Sequence, residues 1–330
     1  MWPGALTETL QRVERRFKAM GGPARVVIDG TPEGVSAELS ELCIEVEQLV
    51  AALEQRYSRY RDDSLVSMIN RRAGSSQRTK IDPETVALLG LAEALWEITG
   101  GLFDITSGPL RRAWDFRSRG PARPERIEAA RNLIGWKHLE WDGPYLRLPM
   151  KGMELDFGGI VKEYAVDCAV KKLRDAGVLS GMIDLAGDIA VIGDQADGSP
   201  WQISIRDPFN EGSICTVNLT DAAIATSGSY ERRIAYQGKD YGHLLDPETG
   251  WPVRGPASVT VIDAHCLTAG AVATTACLQT EEKAASWLTE AQLPWLMVDR
   301  KTEISGPISS DSLSVVQDSA SPLWANTAPP

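Results

Sequence analysis

An α+β fold is predicted for this 330-residue chain by three observations. Helix signals and strand signals fall in blocks instead of alternating one for one, which argues against a doubly wound parallel sheet. The second half is dense in short apolar or alternating runs bounded by Gly, Pro, Asn or Asp. Ala-rich helical stretches interrupt those runs at about 160–176, 268–279 and 282–291. With 43% hydrophobic residues the chain can bury a full core, and the reading is two packed subdomains sharing a ligand cleft.

Each element has a local cause. A short strand is expected at 25–28. Thr31-Pro32-Glu33 is a helix start, with Thr as cap and Pro at the first helical position, and Leu39, Leu42, Val46, Leu49 and Leu53 then recur at helical spacing. Asp82-Pro83-Glu84 opens a second helix that carries Val86, Leu89 and Trp96 to a stop at Gly100-Gly101. A third helix is expected from Pro124 to about Leu133, followed by a hairpin turning at Asp142-Gly143 into a strand over 145–148. The strands of the second half are placed at 182–192, 201–205, 214–219, 222–226, 232–236 and 257–262. Residues 1–16 read as an N-terminal extension, and 301–330 as a Ser- and Pro-rich loose tail.

Composition excludes several classes. The 34 basic residues against 45 acidic ones give a net charge of −11, which repels nucleic acid and anionic membrane over most of the surface. Five scattered cysteines form no CxxC and no zinc spacing, and read as buried thiols. No run is long and apolar enough to predict a membrane span. The N-terminus lacks a basic-then-apolar leader, so the chain as written reads as cytoplasmic, and as periplasmic where a leader has been removed.

Chemistry concentrates in four glycine-and-acid turns and one histidine loop. The turns are Phe103-Asp104-Ile105-Thr106-Ser107-Gly108, Asp156-Phe157-Gly158-Gly159-Ile160-Val161-Lys162, Asp184-Leu185-Ala186-Gly187-Asp188 and Thr226-Ser227-Gly228. Glycine lets main-chain amides approach an anionic ligand, and a Gly-Gly pair entering a helix that carries Lys162 suits a phosphate. His243 stands three residues before Asp246, an arrangement that suits either a proton acceptor or an ordinary loop histidine. His138 and His265 read as structural. The chain has no GxGxxG after a strand, no GxxxxGK[ST] and no GxSxG. The arginines at 56, 59, 61, 71 and 72 read as a solvated face or as a phosphate-steering patch.

The ordered segments FKAMGG, YSRYRDDSLVSMIN, GGLFDITSGPL, LDFGGIVKEYAVD, IDLAGDIAVIG, IATSGSYERR, YGHLLDPETGWPV and SVTVIDAHCLTAGAVATTA resemble the ApbE family over roughly residues 17–300. The resemblance implies a T-fold-like core with FAD bound between two subdomains. It also implies Mg²⁺-dependent transfer of FMN from FAD to a Ser or Thr of an acceptor flavoprotein bearing an Asp-x-x-Ser/Thr-Gly-Ala-Thr-like motif, with AMP leaving. Met20, Tyr60 and Asn70 fall where the family builds its nucleotide pocket, although Met20 and Tyr60 suit a core equally well. Asp104, Asp156, Gly158, Gly159, Lys162, Gly187, Asp188, Ser227, Gly228 and Tyr230 complete the implied cofactor-binding set. Asp104 with Thr106 also fits a self-capped turn. His243 matches the implied catalytic position and Thr274 the implied metal ligand.

Three positions depart from the family pattern. Gly270 stands where an acid four residues before the threonine is implied, so weaker Mg²⁺ binding is expected. Glu163 replaces a glycine after the lysine, and Ala186 the first glycine of a GGD turn, both expected to crowd a phosphate. Asp263, Asp188 and Asp246 are the candidate substitutes for the missing ligand. Gly270 also leaves open a member that binds FAD without transferring it, or one that hydrolyses it slowly.

Overall fold

The structure, a computed structural model, describes residues 12–30, 36–114, 123–228, 233–236, 239–308 and 313–315. The expected cap at Thr31-Pro32 lies outside them. Strands β1 (Arg12–Ala19) and β2 (Gly22–Asp29) form a hairpin turning at Met20 and Gly21. β1 was not expected, because Arg12, Glu14, Arg16 and Lys18 put charge at every second position. That pattern suits an exposed sheet edge, where charge discourages pairing with another chain.

Helix α1 (Ser36–Tyr57) is followed by α2 (Leu65–Arg71), β3 (Thr79–Lys80) and α3 (Pro83–Ile98). The α3 start is as expected: the Asp82 carboxylate accepts from the Thr85 amide at 3.0 Å and Pro83 occupies the first turn. Then come α4 (Leu110–Ala113), α5 (Pro124–Arg131), the hairpin β4 (Glu140–Asp142) and β5 (Tyr145–Arg147), and α6 (Val161–Asp175).

The run expected as one strand over 182–192 is two, β6 (Gly181–Leu185) and β7 (Asp188–Ile192). The break is at Ala186, which adopts the left-handed conformation (φ +53°) usually signalled by glycine or asparagine. Next are β8 (Trp201–Arg206), β9 (Ser213–Thr220), β10 (Ala223–Gly228), β11 (Arg233–Tyr236), β12 (Lys239–Gly242) and β13 (Ser258–Asp263). Helices α7 (Cys266–Cys277) and α8 (Glu281–Glu290) precede β14 (Trp295–Val298), β15 (Ile304–Ser305) and β16 (Leu313–Val315). The last two strands lie in the segment expected as a loose tail: β15 pairs with β14, β16 with β9, and Ile308 is buried. Isolated apolar residues among serines give no periodicity, yet they suffice to extend existing sheet edges.

The central sheet has the order β1-β2-β6-β7-β10-β13-β14-β15, antiparallel at every junction. Successive residues of a strand face opposite sides, and here both sides are buried. Val26, Ile183, Ala190, Ala223 and Val259 point into the main core with α1, α6 and α7, while Val27, Met182, Val191, Ile224 and Ile262 pack on Trp201, Ile203, Val217 and Leu219 of β8 and β9. Alanines at 269, 273 and 276 let α7 lie close against β10 and β13. No helix among the described residues is long and apolar enough to cross a membrane.

Candidate active site

Strand register gathers the sequence motifs at one end of the central sheet. Ala24 pairs with Leu185, so the Met20–Gly22 turn meets the Ala186–Gly187 turn, and a Cβ on Gly22 would touch the Ala186 Cβ. Only glycine at 22 accommodates the alanine opposite. Ala223 and Ile224 pair with Ala190 and Ile189, which carries Thr226, Ser227 and Gly228 toward Asp188 at the same end. Gly228 pairs with Ser258, so the excursion over 229–257 that contains His243 leaves and rejoins the sheet there.

Two antiparallel helices add their side chains. Gly158 and Gly159 lead into α6, whose N-terminus has no side-chain cap. Lys162, in its first turn, is ion-paired with Asp188, which is only 1% exposed. Burial works against the charge on Lys162, but Asp188 and Glu163 more than offset it and hold its pKa above the ordinary lysine value. Glu163 is itself buried, and burial together with the Asp188 charge pushes its carboxyl up to about 8. Its Oε2 has no hydrogen-bond donor against it, and the Asp188 carboxyl lies beside it. From α7, the Thr274 hydroxyl lies 2.6 Å from that of Ser227, and the Cys277 thiol donates to the Ser227 carbonyl.

The remaining expected residues have definite places. Asn70 accepts from the Leu155 amide at 2.7 Å and donates to the Leu155 carbonyl at 3.1 Å, clamping the strand-like approach to Asp156. Asp156 accepts from the Gly158 amide and pairs with Arg59 and Arg111. Despite burial, those two guanidiniums hold its carboxyl below the usual range. Arg59 also pairs with Glu154, so it is part of the scaffold and not of a solvated face. Asp104 is the self-capped turn: it accepts from the Thr106 amide and hydroxyl and from the Trp136 amide, and burial raises its pKa. Tyr60 is 76% exposed, under no apolar cover, with the Arg59 guanidinium 5.7 Å from its ring. The Met20 amide donates to Glu54. Tyr230 lies outside the described residues.

The histidine loop is pinned from below. Leu244 packs on the main core, Leu245 on a small cluster with Trp114 and Ile127, and the Trp114 indole donates to the Gly250 carbonyl at 2.8 Å. Asp246 accepts from the amides of Glu248 and Thr249, so its carboxylate shapes the turn. Asp263, another expected substitute ligand, pairs with Ala223, five register steps from the Gly228–Ser258 pair at the far end of β10. At about 3.3 Å per residue, that places it roughly 16 Å from the motif cluster, and its carboxylate accepts from the His265 amide.

Sequence reasoning misses one functional candidate, Glu163, and one structural carboxylate, Asp167. Glu163 was read only as an obstruction. Asp167 gave no signal at all, yet its two oxygens accept from the Cys266 and Leu267 amides at 2.8 and 3.0 Å and close the N-terminus of α7. Burial raises its pKa to about 6 against those donors. Among the described residues no three His, Cys, Asp or Glu side chains form a metal cage.

The sequence profile of the ApbE family matches residues 20–297. An FAD:protein FMN transferase of Vibrio cholerae is 33% identical over 272 residues, 79% of this chain and 80% of that protein. The crystal structure of an ApbE protein from Thermotoga maritima superposes with a TM-score of 0.80 at 30% identity, covering 90% of this chain and 97% of that one. The flavin transferase ApbE from Vibrio cholerae does so with a TM-score of 0.80 at 29% identity, covering 91% and 98%.

Proposed function

The chain belongs to the ApbE family, and on that basis we propose that it is an FAD:protein FMN transferase. The observation that carries the reading is the convergence, at one end of one sheet, of the glycine turns, the uncapped α6 N-terminus with Lys162, and the Ser227–Thr274 hydroxyl pair. Main-chain amides at a helix start and an ammonium are what a diphosphate requires.

The reaction attaches the FMN phosphorus to an acceptor hydroxyl oxygen while its bond to the AMP oxygen breaks. The hydroxyl proton goes to a base, and AMP leaves with the electron pair. His243 is the proposed base, since its loop opens from the Gly228–Ser258 end and an imidazole exchanges protons near neutral pH. Lys162 and the Gly159 amide hold the diphosphate in place, the Gly158, Ile160 and Val161 amides being spent on Asp156 and the Phe157 carbonyl. Catalysis of phosphoryl transfer is chiefly such positioning and charge neutralisation. The Glu163 Oε2, without a hydrogen-bond donor and with the Asp188 carboxyl beside it, fits a hard divalent cation such as Mg²⁺. When bound, that ion would draw charge from the diphosphate.

The acceptor is proposed to be a flavoprotein segment of the Asp-x-x-Ser/Thr-Gly-Ala-Thr type. Incubating the protein with FAD, Mg²⁺ and such a peptide should give a peptide heavier by one FMN phosphoryl group, read by mass spectrometry. An unmodified peptide at saturating Mg²⁺, with FAD bound, would contradict the proposal.

A further inference from the structure

Relative to the pattern that this chain resembles, positions 163 and 270 have exchanged characters: an acid stands where a glycine is implied, and a glycine where an acid is implied. In the sequence these look like two independent losses. The fold puts them face to face across the α6–α7 interface. A Cβ built on Gly270 would run into the Glu163 side chain, whose Cγ it would overlap and whose Cδ and Oε1 would lie 3.1 Å away. Nothing larger than hydrogen fits at 270 while Glu163 occupies that space. The Glu163 carboxyl therefore sits where a short acid projecting from α7 would have to go.

Three further features of that space favour a cation. Glu163 is 6% exposed, its Oε2 has no hydrogen-bond donor against it, and the Asp188 carboxyl lies beside it, a crowding of buried carboxyl groups that packing alone does not require. One ammonium, Lys162, faces two carboxylates, Glu163 and Asp188, so ionising both leaves an excess negative charge in a buried setting. Thr274 is one helical turn beyond Gly270 on the same face of α7, which places it one turn along from the Gly270–Glu163 contact. Hard oxygen donors of this kind suit Mg²⁺ and Mn²⁺.

We infer that Glu163 is the carboxylate ligand of the divalent cation in this protein, delivered from α6 in place of an acid on α7. The choice of cation rests on the transferase reading, while the role of Glu163 rests on the contact with Gly270. The longer glutamate spans from the opposite helix what a shorter side chain would span from α7 itself.

The test is Mn²⁺ binding to the full chain, with FAD present and absent, followed by the electron paramagnetic resonance of free Mn²⁺. Glu163→Gln keeps the shape and removes the charge. It should weaken Mn²⁺ at least about tenfold, because affinity at such sites follows ligand charge, with its melting transition retained. The exchange Glu163→Gly with Gly270→Asp should restore binding to within about threefold of the parent, and it is the deciding variant if E163Q does not fold. Mn²⁺ affinity within twofold of the parent in E163Q, loss of tenfold or more in a folded exchange when E163Q does not fold, or no saturable Mn²⁺ binding in the parent would overturn the inference. FMN labelling of the acceptor peptide separates the two readings. Labelling with Mn²⁺ binding unchanged by E163Q removes Glu163 and leaves the transferase. Glu163-dependent Mn²⁺ binding without labelling or AMP release removes the transferase and leaves the ligand.

Discussion

Helices α6 and α7 lie antiparallel against the same sheet, and the two ends of the pair are built to opposite standards. At one end Asp167 spends both carboxylate oxygens on the first amides of α7, and Asp263 accepts from His265. At the other, α6 begins without a side-chain cap, Lys162 faces two carboxylates, and Glu163 keeps an oxygen unpartnered. The first end is finished as structure, whereas the second carries buried charge that packing alone does not require. Local rules are satisfied where only folding is at stake and are broken where a ligand is expected to complete them.

Removing the cation of the unfinished end should have the largest effect. Lys162→Met leaves Asp188 and Glu163 buried without their ammonium, and the loss of one partner of a buried pair costs about 3–5 kcal/mol. A clear fall in melting temperature is expected, together with AMP release from FAD lowered on the order of 10²-fold. An unchanged melting curve would mean that the charges are solvated. Next in size is Asp156→Asn, which separates the glycine segment from Arg59 and Arg111 and should cost about 2–3 kcal/mol, somewhat below a fully buried pair because Arg111 is partly exposed. The depressed Asp156 pKa adds stability that is present above the ordinary carboxylate range and is lost as pH falls through the folded value. Acid unfolding of D156N should therefore lack this part of the pH dependence, as measured by urea midpoints from pH 5 downward.

The finished end should respond in structure only. Asp167→Asn replaces one accepting oxygen of the α7 cap and should cost about 1 kcal/mol without altering Mn²⁺ affinity. The raised pKa of Asp167, about 6, has the opposite pH signature from Asp156. Between the unfolded value near 4 and about 6 the folded state holds the extra proton, so this group's contribution declines as pH rises through that window. Stability measured from pH 4 to 7 should decline less in D167N than in the parent. The smallest effect is at the turn pair: Ala186→Gly relieves a left-handed alanine pressed on Gly22, and should raise the melting temperature by about 1–3 °C, from roughly 1 kcal/mol of strain.

What the sequence made legible follows the same division. The α3 start was readable because Asp82 and Pro83 act within one turn, and the strands of the second half because alternation is local. The split of β6 from β7 was not, since Ala186 takes a glycine conformation, and β1 was hidden under edge charges. The glycine turns, Lys162 and Thr274 were named from motifs and converge on one sheet end. The part Asp246 plays in its own turn was not legible, because spacing along the chain says nothing about which amides a carboxylate caps. The Glu163–Gly270 compensation could not be seen at all in one dimension, as it exists only across two packed helices.

Hydrogen exchange tests the contrast between the two ends directly. On addition of FAD and Mg²⁺, slower exchange is predicted at Met20–Gly22, Gly158–Lys162, Ala186–Asp188 and Thr226–Gly228, with Asp263–Leu267 unchanged. Protection confined to Asp263–Leu267, or no change at either end with FAD in saturating excess, would contradict the account.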